Sequence, residues 1–248
     1  MKITLVQQDI IWADPEANRK HLDALLGNIV KTDLVLLPEM FSTGFATVPE
    51  GIAEKAPAPT LDWMKQKASQ MDCAIAGSIA IGENGRFYNR FCFVKPSGEA
   101  SFYDKKHLFT YGGEHKRFSA GDRRVVVEWR GVRFLLAVCY DLRFPVWLRN
   151  RKDYDALLCV ASWPTSRRHA WDSLLKARAI ENQCFVAAVD RTGNDPSCSY
   201  NGGSVLLDPW GQDIARCRDG AEEAVSAELD MESLAAFRKS FPVLDDAD

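Results

Sequence analysis

The chain lacks any run of apolar residues long enough to cross a bilayer, for which about 20 are needed. Its first segment, Met1 to Asp9, alternates apolar and polar residues like a strand and lacks the apolar core of a signal peptide. The formal net charge is only -3, so neither nucleic acid nor an anionic membrane is expected as a partner. We therefore predict a cytoplasmic location.

Paired cysteines and metal-ligand spacings are also missing. The seven cysteines are odd in number, and none of them forms a C-x-x-C pair. The four histidines stand at no ligand spacing from the cysteines. This pattern predicts reduced thiols of the kind found in a cytosol, and it argues against a disulfide framework or a structural metal.

The composition is that of a globular protein. Of the 248 residues, 46% are hydrophobic and 26% are charged, which is an ordinary balance. Because no linker, repeat or low-complexity segment interrupts the chain, we expect one domain over residues 1–248.

Short buried strands alternate with amphipathic helices, which is typical of α/β proteins. After the first strand, Asp14-Pro15-Glu16 is a helix start, and Asp33 to Leu37 returns as a buried strand. Further helices are predicted over 61–71 with Thr60 as its cap, and over 146–152, 167–182 and 231–239. About a dozen strands with roughly five helices fit two stacked sheets with helices outside.

Three polar groups stand where predicted buried strands end. Glu39 follows one strand, Cys139 follows the apolar run that begins at Phe134, and the pair Lys105-Lys106 follows a third strand. A carboxylate can take the proton of a thiol, and a nearby ammonium favours the thiolate. If the strands adjoin, these groups supply a nucleophile, a general base and an oxyanion donor, as acyl transfer at a carbonyl or nitrile carbon requires.

Three segments carry a family resemblance, in order along the chain: Leu37-Pro38-Glu39-Met40-Phe41, Tyr103-Asp104-Lys105-Lys106-His107-Leu108-Phe109 and Val138-Cys139-Tyr140-Asp141-Leu142-Arg143-Phe144-Pro145. They resemble the three signatures of the nitrilase (carbon–nitrogen hydrolase) superfamily. The third segment is similar to the amidase branches, in particular the omega-amidases, whereas true nitrilases tend to follow the cysteine with Trp-Glu. Residues 177–182 and 208–211 match as well, so the resemblance covers nearly the whole chain.

The resemblance implies an α/β fold, a four-layer αββα sandwich of two mixed sheets with helices outside. It also implies a Glu-Lys-Cys triad, with Glu39 as general base and Cys139 as nucleophile. The family lysine lies in Lys-x-His-Leu, which selects Lys105 over Lys106, and strand alternation agrees. The family's second glutamate is assigned to Glu114, with Glu128 as the close rival.

The same resemblance implies an oxyanion held by Lys105 and by the backbone N–H of Tyr140, with no cofactor. It implies a small dicarboxylate monoamide as substrate, such as 2-oxoglutaramate or 2-oxosuccinamate, and at least a homodimer. Arg143 is a candidate for the substrate carboxylate, and a structural ion pair is an equal alternative for it. The aromatic residues expected to line the pocket are Phe41, Tyr111 and Trp163.

Three other functions compete with this one. The first is another amidase or a carbamoylase of the same superfamily. The second is a papain-like Cys-His hydrolase, which would leave Glu39 and Lys105 unexplained. The third is a catalytically silent dimeric scaffold on the same fold, against which the intact triad argues.

Overall fold

The computed structural model describes residues 1–55 and 58–246, and it contains two β-sheets packed face to face with helices on both outer sides. The predicted αββα sandwich is confirmed. The predicted domain extends over residues 56, 57, 247 and 248, which lie outside the described residues. Among the described residues, no helix is long and apolar enough to cross a membrane.

The strands of the described chain are β1 (Lys2–Gln7), β2 (Leu34–Leu36), β3 (Glu54–Lys55), β4 (Ala74–Glu83), β5 (Arg86–Val94), β6 (Ala100–Asp104), β7 (Val126–Trp129), β8 (Val132–Val138), β9 (Ala156–Ala161), β10 (Phe185–Asp190), β11 (Thr192–Asn194), β12 (Ser199–Asn201), β13 (Val205–Leu207), β14 (Asp213–Arg216) and β15 (Glu223–Glu228). The α-helices are α1 (Pro15–Leu26), α2 (Pro59–Met71), α3 (Pro145–Leu148), α4 (Arg168–Asn182) and α5 (Met231–Ser240).

The first sheet has the order β15-β1-β2-β4-β5-β6, and β3 pairs with β4. Strands β1, β2 and β4 are parallel because a helix joins each to the next. Strand β5 then returns antiparallel through a turn at Asn84 and Gly85, both of which have positive φ. The sheet is therefore mixed.

The second sheet has the order β14-β13-β10-β9-β8-β7. Strands β8, β9 and β10 are parallel, and the flanking strands are antiparallel to their neighbours. A third, two-stranded sheet pairs β11 with β12. Strands β3, β11 and β12 were not predicted, because two- or three-residue strands carry too little alternation to be recognised.

Three apolar clusters fill the three interfaces between the four layers. One cluster lies between the sheets, one joins the first sheet to α1 and α2, and one joins the second sheet to α4. Along β8, Phe134 and Leu136 face the first sheet, whereas Leu135 and Ala137 face α4. Burial on both faces explains why this strand is continuously apolar from Phe134 onward.

Two predicted helix ends differ from the structure. The helix over 146–152 is shorter and ends at Leu148. Helix α2 begins at Pro59, and Thr60 does not cap it, because the Thr60 hydroxyl and backbone N–H both donate to Glu54. The Thr60 hydroxyl, which was expected to cap the helix, is therefore engaged by the carboxylate of Glu54 in β3.

The fold brings the ends of several strands to one place. Glu39 follows β2 of the first sheet, whereas Cys139 and Ser162 directly follow β8 and β9 of the second. The Glu39 backbone N–H donates to the carbonyl of Ala161, 3.4 Å away, which ties the two sheets together at this edge. The site thus lies at the carboxyl ends of parallel strands from both sheets.

Gly77 of β4 leaves room for this edge, and its replacement by alanine is expected to destabilise the protein. A Cβ there would lie 2.9 Å from Leu37 Cβ and 2.9 Å from Phe41 Cδ1. Overpacking of this kind typically costs about 1–3 kcal/mol. Urea unfolding of Gly77→Ala measures the loss.

A double-mutant cycle separates this clash from a general effect of the substitution. Phe41→Leu removes one of the two opposing groups, so the double variant should lose less stability than the sum of the single variants. Strict additivity would show that the two positions are not in contact.

Candidate active site

Cys139 is the first residue of the 3-10 segment Cys139–Arg143, which turns the chain directly after β8. Its φ is +46°, a left-handed conformation that a non-glycine residue adopts only when its surroundings enforce it. The buried carboxylate of Asp141 supplies that constraint, because it accepts the N–H of Val138 at 3.0 Å and the N–H of His107 at 3.0 Å. The Tyr103 hydroxyl donates to the same carboxylate at 2.7 Å. The turn is therefore held rigidly.

Glu39 is fully buried, and its carboxylate accepts three hydrogen bonds. Lys105 Nζ and Asn89 Nδ2 each donate to Oε1 at 2.8 Å. The backbone N–H of Ser162 donates to Oε2 at 2.9 Å. The carbonyl of the same residue, Ser162, lies 4.0 Å from Cys139 Sγ, so one residue contacts both the carboxylate and the thiol.

Lys105 lies between two carboxylates, and all three side chains are fully buried. Its Nζ is 2.8 Å from Glu39 Oε1 and 3.0 Å from Glu114 Oε2. Burial by itself would lower the pKa of Lys105, but the charges of Glu114 and Glu39 raise that pKa above its ordinary value. The ammonium is thus retained.

Glu114 lies in the irregular stretch after β6 and completes this cluster. Its Oε2 accepts the N–H of Phe109 at 2.6 Å, and burial raises the pKa of Glu114 although Lys105 opposes that shift. The rival Glu128 lies in β7 and is exposed. Lys106 points elsewhere, with its Nζ 5.5 Å from the ring centre of Trp147. The structure thus brings Lys105 and Glu114, and neither rival, to Glu39.

Asn89 is a member of the cluster that sequence reasoning missed. It lies in β5, and its Nδ2 donates to Glu39 at 2.8 Å and to Glu114 at 3.2 Å. Its Oδ1 is buried and has no hydrogen-bond partner among the described residues. The sequence did contain one signal for Asn89, which is the single side-chain amide in β5. A buried amide ordinarily has a hydrogen-bond partner, so its presence in a strand indicates a polar group nearby.

A neighbouring lysine alone would favour a thiolate at Cys139, but the other surroundings of this thiol act in the opposite direction. Burial and the charge of Glu39 raise the pKa of Cys139 well above its ordinary value, and Lys105 offsets only part of this. Lys105 is itself paired with Glu39 and Glu114. The thiol therefore needs a base at the moment of reaction, and Glu39 is the adjacent candidate.

A cavity of about 630 Å³ opens above Cys139. Tyr111, Arg143 and Trp163 line it, as expected, and Tyr140, which was expected to donate its backbone N–H to the oxyanion, lines it as well. The Arg143 guanidinium lies 4.9 Å from the centre of the Trp163 ring. Sequence reasoning missed several other lining residues, which are Trp12, Phe45, Phe109, Arg167 and Tyr200. Among residues 1–55 and 58–246, no group of three or more His, Cys, Asp or Glu side chains is arranged to hold a metal ion.

The prediction that Phe41 lines the pocket is wrong. Its ring is fully buried on the outer side of the first sheet, 6.0 Å from the ring of Trp63. The chain turns sharply after Glu39, with Met40 at a φ of +44°, and this turn directs the Phe41 ring away from the cavity. Phe45 lines the cavity instead, and its ring centre lies 5.1 Å from Lys105 Nζ.

Replacement of Asn89 is expected to change the pH dependence of turnover. In Asn89→Leu the two carboxylates lose a donor to their charged form and bind a proton more readily, so the acidic limb of kcat/KM should move to higher pH. Asn89→Asp, with nearly unchanged volume, should move it further by adding a third carboxylate. An unmoved pH profile with a lower thermal midpoint would assign Asn89 a purely structural role.

The raised pKa of Cys139 also makes a prediction about alkylation. Since a thiol is neutral below its pKa, the rate of modification by iodoacetamide should keep rising between about pH 6 and pH 9. Cys198→Ala is the matched control, because Cys198 is the other half-buried thiol of the described chain. A plateau below about pH 7 would indicate a preformed thiolate and contradict the expectation.

Known proteins resemble this chain over its full length. Omega-amidase YafV of Yersinia enterocolitica is 47% identical over 251 residues, covering 100% of this chain and 97% of that protein. The 2-oxoglutaramate amidase of Bacillus subtilis is 38% identical over 252 residues, covering 98% and 96%. A CN-hydrolase superfamily protein of Xanthomonas campestris, whose crystal structure has an arsenic adduct in the active site, superposes with a TM-score of 0.97 at 41% identity, covering 100% and 97%.

The family profile described as carbon-nitrogen hydrolase matches residues 2–239, which is nearly the whole chain. Together with the shared fold, this match shows that the chain belongs to the carbon–nitrogen hydrolase family, as the three sequence signatures indicated.

Proposed function

We propose that this protein is a thiol amidohydrolase that converts the terminal amide of a small dicarboxylate monoamide, such as 2-oxoglutaramate or 2-oxosuccinamate, to a carboxylate and ammonia. The observation that carries the proposal is the buried cluster of Glu39, Lys105 and Glu114 beside the thiol of Cys139. The relatives named omega-amidase and 2-oxoglutaramate amidase support the choice of substrate.

In the first step Glu39 accepts the thiol proton while Cys139 Sγ attacks the amide carbon. An ionised carboxylate has about four lone-pair positions, and three are occupied by Lys105, Asn89 and Ser162. One position therefore remains to receive the proton. Concerted transfer is needed because the pKa of Cys139 is raised.

The oxyanion that forms on the amide oxygen needs donors that are already in place. Lys105 has three N–H donors, and two of them are directed at Glu39 and Glu114, which leaves one for the oxyanion. Tyr140 is in the first turn after the strand, where a backbone N–H has no carbonyl within the turn to bond. These two groups are the proposed oxyanion hole.

Collapse of the tetrahedral intermediate breaks the C–N bond, and Glu39 returns its proton to the departing ammonia. A water molecule then loses a proton to the same carboxylate and attacks the thioester. Glu114 contributes here by holding Lys105 in position. Cleavage of the C–S bond releases the new carboxylic acid, which ionises by losing its proton to solvent, and the Cys139 thiolate recovers the proton held by Glu39.

Arg143 is proposed to bind the carboxylate at the far end of the substrate. Its guanidinium lines the cavity, and it makes no ion pair with any residue in 1–55 or 58–246. A structural ion pair, which was the alternative role for Arg143, is therefore not formed within the described chain. Tyr111 and Trp163 are proposed to line the space between this carboxylate and Cys139.

Three further properties are part of the proposal. We propose that residues 1–248 form one catalytic domain, since one apolar cluster is shared by both sheets. The free thiols of the described chain support a cytoplasmic location. The family resemblance supports a homodimer or a higher homo-oligomer.

The test is ammonia release from 2-oxoglutaramate, 2-oxosuccinamate, glutamine and an N-carbamoyl amino acid. The wild-type protein should turn over the two oxo-acid amides most efficiently. Cys139→Ala should reduce kcat to less than about one-thousandth, because loss of a nucleophile removes the covalent route. Cys198→Ala, which changes another thiol lining the same cavity, should retain activity.

Each competing function predicts a different result in this assay. Preference for the N-carbamoyl substrate would favour a carbamoylase, and ammonia release from none of the compounds would favour a silent scaffold. Unchanged turnover by Cys139→Ala would refute the thioester mechanism.

A further inference from the structure

The charges around the cavity are unevenly compensated. Four charged side chains line it, namely Glu39, Asp195, Arg143 and Arg167. Two are acidic and two are basic, so a simple count suggests a balanced site. The hydrogen bonds of the individual groups show otherwise.

Both carboxylates are already occupied by the protein. Glu39 accepts bonds from Lys105, Asn89 and Ser162. Asp195 Oδ1 accepts the backbone N–H groups of residues 197 and 198, both at 2.7 Å, and Asp195 Oδ2 accepts the Tyr200 hydroxyl at 2.6 Å. Neither carboxylate pairs with an arginine.

Both guanidinium groups lack an acidic partner within the described part of the chain. Arg143 lies over Trp163 at 4.9 Å, and Arg167 lies over Phe109 at 5.2 Å, each measured to the ring centre. Aromatic faces position a guanidinium but do not neutralise its charge. The cavity thus presents two uncompensated positive charges to a ligand.

These two arginines are linked through one aromatic residue. The Trp163 indole Nε1 donates to the carbonyl of Arg167 at 2.8 Å. The backbone N–H of Trp163 donates to the buried carboxylate of Asp190 at 2.7 Å. Trp163 therefore fixes the backbone from which Arg167 extends while its ring supports Arg143, so both cations belong to one preorganised subsite.

We propose that Arg167 is a specificity-determining residue that, together with Arg143, forms a two-guanidinium subsite for the 2-oxo-carboxylate end of the substrate. The substrate carboxylate accepts hydrogen bonds from both guanidinium groups, or it accepts them from one group while the other donates to the 2-oxo oxygen. An amino acid amide such as glutamine brings an ammonium group to the same place and is repelled. The subsite therefore selects oxo-acid amides over amino acid amides. This inference rests on the proposed function.

The experiment compares kcat/KM for 2-oxoglutaramate, glutamine and the neutral amide butyramide in wild type and Arg167→Met. Methionine keeps an unbranched apolar stem but removes the charge. For 2-oxoglutaramate we expect a loss of about ten- to hundredfold, mainly through KM, as for loss of a hydrogen bond to a charged group. For glutamine and butyramide we expect no loss, so the preference for the oxo acid should fall by about the same factor.

Two further variants separate the charge of Arg167 from its packing. Arg167→Lys keeps the charge and should restore part of the preference, although lysine cannot form the bidentate contact. Arg123→Met is the matched control, because Arg123 is highly exposed and its one ion pair within the described residues is with the equally exposed Asp122. It should behave as wild type.

The outcomes distinguish the inference from the function on which it rests. An equal loss on all three amides, or no loss on any, would overturn the role of Arg167 while leaving the amidase activity in place. Failure of the wild-type protein to release ammonia from any of them would instead overturn the proposed function. If Arg167→Met does not fold, the ratio measured with Arg167→Gln decides in the same way.

Discussion

The ammonium of Lys105, buried between two carboxylates, is the interaction on which the arrangement of the site depends. Burial of charged groups is costly unless each of them is paired and hydrogen-bonded. The cluster is sustained by donors from separate parts of the fold: Asn89 from β5, the Ser162 N–H after β9, and the Phe109 N–H from the irregular stretch after β6. Because these segments belong to both sheets and to the loop between them, the packing of the sandwich and the electrostatics of the site stabilise each other.

In the proposed mechanism the same cluster determines how the thiol of Cys139 is activated. An isolated lysine would favour a thiolate, but here the ammonium of Lys105 is paired with Glu39 and Glu114. The pKa of the Cys139 thiol is raised by burial and by the charge of Glu39. In the proposed mechanism the nucleophile is therefore a neutral thiol, and its base is the adjacent carboxylate of Glu39. The strained turn at Cys139, held by Asp141, aligns them, so geometry rather than a permanent charge prepares the attack.

Strand ends were the part of the site that the sequence could predict. A buried strand that stops at a polar residue identified Glu39 and Cys139, and the family signatures distinguished Lys105 from Lys106. Asn89 could not be found in this way, because it lies in the middle of β5 and its role depends on side chains 25 and 50 residues away. Phe41 was misassigned for a related reason, since the turn after Glu39 reverses the direction of the chain and puts Phe45 at the cavity. The layers of the fold follow from local patterns, whereas these residues are placed by contacts between distant segments.

Catalysis and substrate selection would then depend on different charges within one cavity. Free arginines close to an ionised glutamate would ordinarily pair with it and block both functions. Here the Glu39 carboxylate accepts hydrogen bonds from Lys105, Asn89 and Ser162. The Asp195 carboxylate accepts them from the backbone N–H groups of residues 197 and 198 and from the Tyr200 hydroxyl. Arg143 and Arg167 instead lie over aromatic rings, and neither guanidinium has an acidic partner among residues 1–55 and 58–246. A substrate that is anionic at one end and neutral at the amide end matches this division, because each end meets the charges that suit it.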